Sequence, residues 1–184
     1  DGFVHPVFNL HTVMTYRSSC DSPNVQNQPS RNPEMAEIIR RCFIPRDNHV
    51  LIEIDFSALE FRIAACFWND PKMVEYASDP SKDIHRDMAK ECYLIPTDEV
   101  SKESRYCAKN MFVFPILYGS YYIQCAKHLW EAITKHDLKT KRGKSIKEIL
   151  TAKGITKLGA CDTKLSPTKG TFEYHIQSVE EKFN

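Results

Sequence analysis

The stretch Arg105–Gly119, RYCAKNMFVFPILYG, reads as a helix that carries two cations and then turns aromatic. Arg105 and Lys109 are four residues apart, which puts them about 40° apart on one helix face. Arg offers a bidentate fork and Lys a point charge, the two forms of cation that a chain of phosphates takes up. The same spacing also describes a solvated like-charge pair, mildly destabilising by a few tenths of a kcal/mol. Phe112, Phe114, Tyr118, Tyr121 and Tyr122 follow. Core packing is one reading of them and base stacking, worth about 1–3 kcal/mol per base, is the other.

Upstream, Leu51–Arg62 (LIEIDFSALEFR) sets an apolar run before Asp55 and a helical pattern after it. The run predicts a strand over Val50–Asp55, with Asp55 delivered to its solvent end. A carboxylate there is a hard oxygen ligand suited to Mg²⁺. Two-metal phosphoryl transfer needs at least two such groups, and Glu60, five residues on, is not an obvious second one. Taken alone, Asp55 reads more often as a helix-capping residue, and Ser57 reads as the cap of a helix running to about Phe67.

The rest of the chain predicts short antiparallel strands over 1–20, an irregular segment over 21–33 and a helix over 34–41. Asp70-Pro71 opens one helix and Asp83 caps another to about Tyr93. Ser101 caps the long cationic helix, which Gly119 ends. Helix continues to about Trp130, 135–170 is mixed helix and loop, and a last helix starts near Thr171.

The composition excludes several classes. The 184 residues hold seven cysteines, scattered and without a CxxC pair, so neither a zinc knuckle nor a disulfide framework is indicated. Reduced thiols make a cytoplasmic setting the expectation. No apolar run approaches the roughly 18 residues of a membrane span, no signal peptide opens the chain, and no membrane partner is expected. The start at Asp1 and the end at Asn184 suggest a segment of something longer. The net charge of +1 hides a division: −6 over residues 1–100, +9 over 101–170 and −2 over the last fourteen. A basic block suits a polyanion such as nucleic acid or nucleotide, and a lysine-rich solvated surface equally.

Together these residues closely resemble family A DNA polymerases, the group of bacterial DNA polymerase I and many phage replicases. Thr15-Tyr16-Arg17-Ser18-Ser19 and Pro23-Asn24-Val25-Gln26-Asn27-Gln28-Pro29 resemble the family's T-x-R…PNxQNxP segment. Asp55-Phe56-Ser57-Ala58-Leu59-Glu60-Phe61-Arg62 resembles its motif A. Asp83-Ile84-His85 is similar to its DIH, and Arg105…Lys109…Tyr118-Gly119 to its motif B on the fingers helix. The resemblance implies an α+β chain: part of a palm, an antiparallel sheet with helices, over 1–70, then mostly helical fingers over 71–184. It implies template-directed joining of a dNTP to a primer 3′-OH by two-metal catalysis, with primer-template DNA as partner and two Mg²⁺ ions as cofactor. Asp55 would bind both ions. Glu60 would crowd a ribose 2′-OH and select dNTPs. His85, Arg105 and Lys109 would hold the phosphates, and Phe114 would belong to the nucleotide site. Arg17, Asn24, Gln26 and Asn27 would touch the primer-template backbone and minor groove, whose acceptors are common to every correct pair. Arg62 would support the site through an ion pair, Tyr118 would stack near the templating base, and Gly119 would permit close approach. A processivity partner is not legible.

Three departures qualify the match. Lys109 to Phe114 is five residues where the family has four, and Pro115 stands where Gly is frequent. On an ideal helix Phe114 would lie about 140° from Lys109, so the expectation is a π-bulge between Lys109 and Pro115 that absorbs the extra residue. Ala58 stands where Gln or Gly is frequent. The family's motif C, His-Asp-Glu, is absent, and His136-Asp137-Leu138 is a coincidental near match. A catalytically incomplete nucleotide- or DNA-binding fragment is therefore the alternative. A single-subunit RNA polymerase is disfavoured by Glu60 and PNxQN, and a metal-dependent phosphohydrolase using Asp55, Asp83 and His85 is a further rival.

Overall fold

The computed structural model describes residues 2–29 and 32–183. The chain is α+β and divides into two units, Asp1–Asp55 and Phe56–Asn184.

In the first unit, β1 (Val7–Asn9) pairs antiparallel with β2 (Ser19–Asp21), Phe8 standing opposite Cys20. The predicted short strands are thus present. Helix α1 (Pro33–Arg41) begins where the Asn32 side chain accepts from the Met35 N–H. The predicted strand over Val50–Asp55 does not form: residues 50–55 have no regular secondary structure, and Val50, Leu51, Ile52 and Ile54 are exposed. The reason is physical. A strand is stabilised by a neighbour's ladder and by a buried face, and among the described residues none pairs with this segment. An apolar run supplies the face but not the partner.

The second unit is helical: α2 (Leu59–Trp68), α3 (Pro71–Ser78), α4 (Ile84–Tyr93), α5 (Lys102–Ala108), α6 (Phe114–Leu117), α7 (Tyr122–Lys135), α8 (Ile146–Ala152) and α9 (Phe172–Phe183). Its starts follow the sequence. Asp70 accepts from the Met73 N–H at 2.7 Å. Asp83 accepts from the His85 and Arg86 N–H groups at 3.1 and 3.2 Å. Ser101 and Ser104 exchange side-chain-to-backbone bonds at 2.9 and 3.1 Å. Ser57 does not cap α2. The cap position is Ala58, held left-handed at φ 50° and ψ 45°. Helix α7 runs five residues past the expected Trp130.

The core of this unit is one cluster around Tyr93, Phe112, Leu129, Ile133, Ile146, Leu150, Phe172 and Ile176, all essentially inaccessible to solvent. A smaller cluster of Phe61, Ala65, Met73 and Ile84 joins α2, α3 and α4. These two clusters fix α4 and α5 side by side, which positions the site. Among the described residues no helix is long and apolar enough to cross a membrane.

Candidate nucleotide site

The cationic helix is not a regular α-helix. Between α5 and α6, residues Lys109–Val113 form a π-turn, and the Phe114 N–H donates to the Lys109 carbonyl, five residues back. This is the bulge expected from the extra residue. Pro115 explains its location: a proline has no N–H and its ring clashes with the carbonyl four residues back. The wider turn lies immediately before it. Phe112 and Val113, inside the turn, are fully buried in the core. Phe114 is thereby turned back to the face that bears Lys109.

That face is explicit in the contacts. The Lys109 ammonium lies 5.1 Å from the centre of the Phe114 ring, a cation–π arrangement. Phe114 stands edge-on to His85 at 5.7 Å and lies 6.5 Å from Tyr118. Tyr118 is exposed. The helix ends at Gly119, whose φ of 84° is left-handed, and the Ser120 N–H returns to the Pro115 carbonyl at 2.8 Å. A Cβ at Gly119 would meet nothing within 4 Å, so the φ, and not crowding within the chain, requires glycine there.

Arg105 faces Asp83. Its Nε donates to Oδ2 at 2.7 Å and its Nη2 to Oδ1 at 3.1 Å, a bidentate pair 22 residues apart in sequence. Asp83 thus caps α4 and aims Arg105, a second role that the capping pattern did not reveal. The DIH motif contains this Asp, but its long-range partner is not a local signal. Burial raises the Asp83 carboxyl, but the Arg105 fork and the Arg86 N–H outweigh it and hold the group below its usual range. His85 is buried, and its pKa is pushed down to about 4 by that burial and by the positive charge of Arg105 and Lys109. Among the described residues its Nδ1 has no hydrogen-bond partner. An anion entering beside Arg105 and Lys109 would offset their charge and favour the protonated imidazole.

A cleft of about 290 Å³ opens beside this face, with Ser57, Ala58, Phe61 and Arg62 on one wall and Asp83, His85 and Arg105 on another. Among the described residues Arg62 bonds to backbone carbonyls in place of the expected ion pair. Its Nε donates to the Ser57 carbonyl at 2.9 Å and its Nη1 to the Ala77 carbonyl at 2.6 Å. A left-handed Ala58 turns the Ser57 carbonyl into reach, so Arg62 ties the loop before α2 to the end of α3. Glu60 is exposed on the first turn of α2. On the third wall Tyr76 donates to Asp87 at 2.8 Å, and burial with that bond pushes its pKa up to about 12.

The second unit therefore brings together Arg62, His85, Arg105, Lys109, Phe114 and Tyr118. The first unit carries Asp55 and the 17–27 segment. There Asn24 Oδ1 accepts from the Gln26 and Asn27 N–H groups at 3.0 and 3.3 Å, and Gln26 Nε2 donates to Ser18 Oγ at 3.0 Å. This turn sets Gln26 against the residue next to Arg17, and all of Arg17, Asn24, Gln26 and Asn27 are exposed. Asp55 is an exposed carboxylate that fits one oxygen ligand of a magnesium ion. Among the described residues no group of three His, Cys, Asp or Glu side chains could hold a metal by itself.

A helix face with two cations, a buried imidazole and an aromatic end has the chemistry to take up a phosphorylated aromatic ligand. The model of DNA polymerase family A matches residues 1–152, and the chain belongs to that family. It is 32% identical over 139 residues to a DNA polymerase of Bacillus phage SP01, covering 71% of this chain and 14% of the phage protein. It is 33% identical to the thermostable DNA polymerase I of Thermus aquaticus, and 36% identical to DNA polymerase I of Caldicellulosiruptor bescii. Each of those two matches runs over 118 residues, 64% of this chain and 14% of the relative. The chain thus spans about a seventh of these relatives. In structure it resembles the POL domain of Pol1 from M. smegmatis in complex with DNA primer-template and dNTP. That match has a TM-score of 0.57 and 25% identity, over 96% of this chain and 34% of that one.

Proposed function

We propose that this chain is the dNTP-binding part of a template-directed DNA polymerase, with residues 1–70 in the palm and 71–184 in the fingers. The observation that carries this reading is the π-turn, which sets Lys109, Phe114 and Tyr118 on one face with His85. Lys109, Arg105 and His85 hold the triphosphate. Phe114 packs on the sugar and base, and Tyr118 stacks by the templating base where Gly119 lets it approach. Glu60 excludes a 2′-OH, and Arg62 keeps the Ser57–Ala58 loop in place beneath it. Arg17, Asn24, Gln26 and Asn27 hold the primer-template from its minor groove. Asp55 is the ligand for Mg²⁺, one ion or two; when bound, the metal supplies positive charge to the phosphates and acidity to the primer hydroxyl. The chain's own contribution is positioning and charge neutralisation. A cytoplasmic location belongs to the same reading.

One observation favours a narrower version. The sequence has no His-Asp-Glu, and the described residues offer no complete metal cluster. By itself the chain then binds nucleotide without joining it. Two measurements separate these readings. Binding of a labelled dNTP to the 184-residue chain tests the site: Lys109→Ala is expected to weaken it at least tenfold, and unchanged binding overturns the reading. Primer extension beside an Asp55→Ala control tests the chemistry: extension that the substitution abolishes supports a complete centre, and none supports the binding fragment.

A further inference from the structure

The segment 139–170 holds nine Lys or Arg against two Asp or Glu, and no aromatic residue. It is not a loose basic tail. Its first part is a tight hairpin in which Lys139 and Ser145 bridge, the Thr140 N–H donates to the Lys144 carbonyl at 2.9 Å and Gly143 N–H to the Thr140 carbonyl at 2.9 Å. The hairpin is pinned to the start of α5. Ser101 Oγ donates to the Lys139 carbonyl at 2.9 Å, the Lys141 N–H donates to the Glu99 carbonyl at 2.8 Å, and Arg142 pairs with Asp98 and Glu99 at 3.0 Å each. Helix α8 follows, with Ile146 and Leu150 buried and Lys147 exposed. At its far end Gly154 lies against Gly170, and Lys157 bridges to Thr171.

Four carboxylates flanking the segment are already committed. Asp137 takes Lys139, Glu131 takes Lys135, and Asp98 and Glu99 take Arg142. Among the described residues the exposed ammonium groups of Lys141, Lys144, Lys147, Lys157, Lys164 and Lys169 have no carboxylate partner. Lys141, Lys144 and Lys147 gather at the start of α8, and Lys157 and Lys169 beyond its end. Helix α8, seven residues long, is itself about 10 Å in length.

We infer that this lysine surface is a sequence-independent contact for the phosphate backbone of duplex DNA, separate from the nucleotide site. A duplex length of about 10 Å carries about six phosphates. The absence of aromatic side chains removes the stacking that single-stranded sites use, which leaves backbone charge as the only handle. A scaffold already pinned by Arg142 and Ser101 orders little on binding, so the attraction is not spent on fixing the loop.

The test is fluorescence anisotropy of the full chain with a labelled 20-base-pair duplex over a KCl series. The variants are Lys141→Ala/Lys144→Ala/Lys147→Ala and Lys157→Ala/Lys164→Ala/Lys169→Ala, each beside its Lys→Arg counterpart. Exposed lysines on a surface cost little stability when replaced, and thermal melting checks that. Each alanine triple is expected to weaken binding at least tenfold at 50 mM salt and to flatten the slope of log K against log salt by about 2 to 3. The arginine triples keep both. Equal slopes for wild type and alanine triples, or equal losses with arginine, overturn the inference.

Discussion

His85 shows most clearly how single residues set this site. Its folded pKa, about 4, lies below the ordinary histidine value of 6.5. The unfolded chain therefore takes up the proton first as pH falls. The stability that His85 contributes is complete above about 6.5 and is lost progressively between there and 4. A denaturant midpoint measured across that window should fall more steeply for the wild type than for His85→Gln. A bound triphosphate opposes the two cations that depress the group, so the NMR titration of the His85 ring should move upward by about a unit or more with dNTP. Ala58 gives a second prediction at this scale. A left-handed alanine is strained by about 1–2 kcal/mol, partly offset by the freedom that glycine adds to the unfolded chain. Ala58→Gly should raise stability by about 0.5–1 kcal/mol in a urea titration, and a loss would show that the loop before α2 has another conformation.

Elements whose causes are local were legible in the sequence. Asp70, Asp83 and Ser101 cap helices because a carboxylate or hydroxyl beside a helix start meets backbone N–H groups whatever the rest of the fold does. The π-turn was legible for the same reason: a surplus residue and a proline are both local facts. What was not legible is non-local. The segment 50–55 carries strand residues but has no ladder partner, and the Arg105–Asp83 fork joins residues that only the packing of α4 on α5 brings together. Arg62 reaches for two carbonyls that no motif announces. The π-turn makes its own prediction. Deleting the exposed Asn110 restores a spacing of four between Lys109 and Phe114. It should therefore leave dNTP affinity within a few-fold, by filter binding, with a continuous α-helix in place of the turn. If the wild type instead had a regular helix, the deletion would swing Phe114 by about 100° and abolish binding.

At the scale of the whole chain the two units differ in kind. The second buries some two dozen apolar side chains around α4, α5, α7 and α9. In the first, Cys20 is the one buried hydrophobic residue among those described, while Phe3, Phe8, Met14, Ile38, Ile44 and Ile52 stand exposed. Stability follows buried apolar contact, so hydrogen exchange should find amides of β1 and β2 unprotected within seconds, while those of α4 and α7 persist far longer. Equal protection would mean that the first unit has a core of its own.

On the proposed reading the π-turn hands Phe114, not Phe112, to the nucleotide. Selective labelling of phenylalanine rings and titration with dNTP tests it directly by NMR. The Phe114 ring resonances should move with saturation while those of Phe112, sealed in the core, stay fixed; movement of Phe112 with Phe114 unaffected would show that the turn presents the other ring.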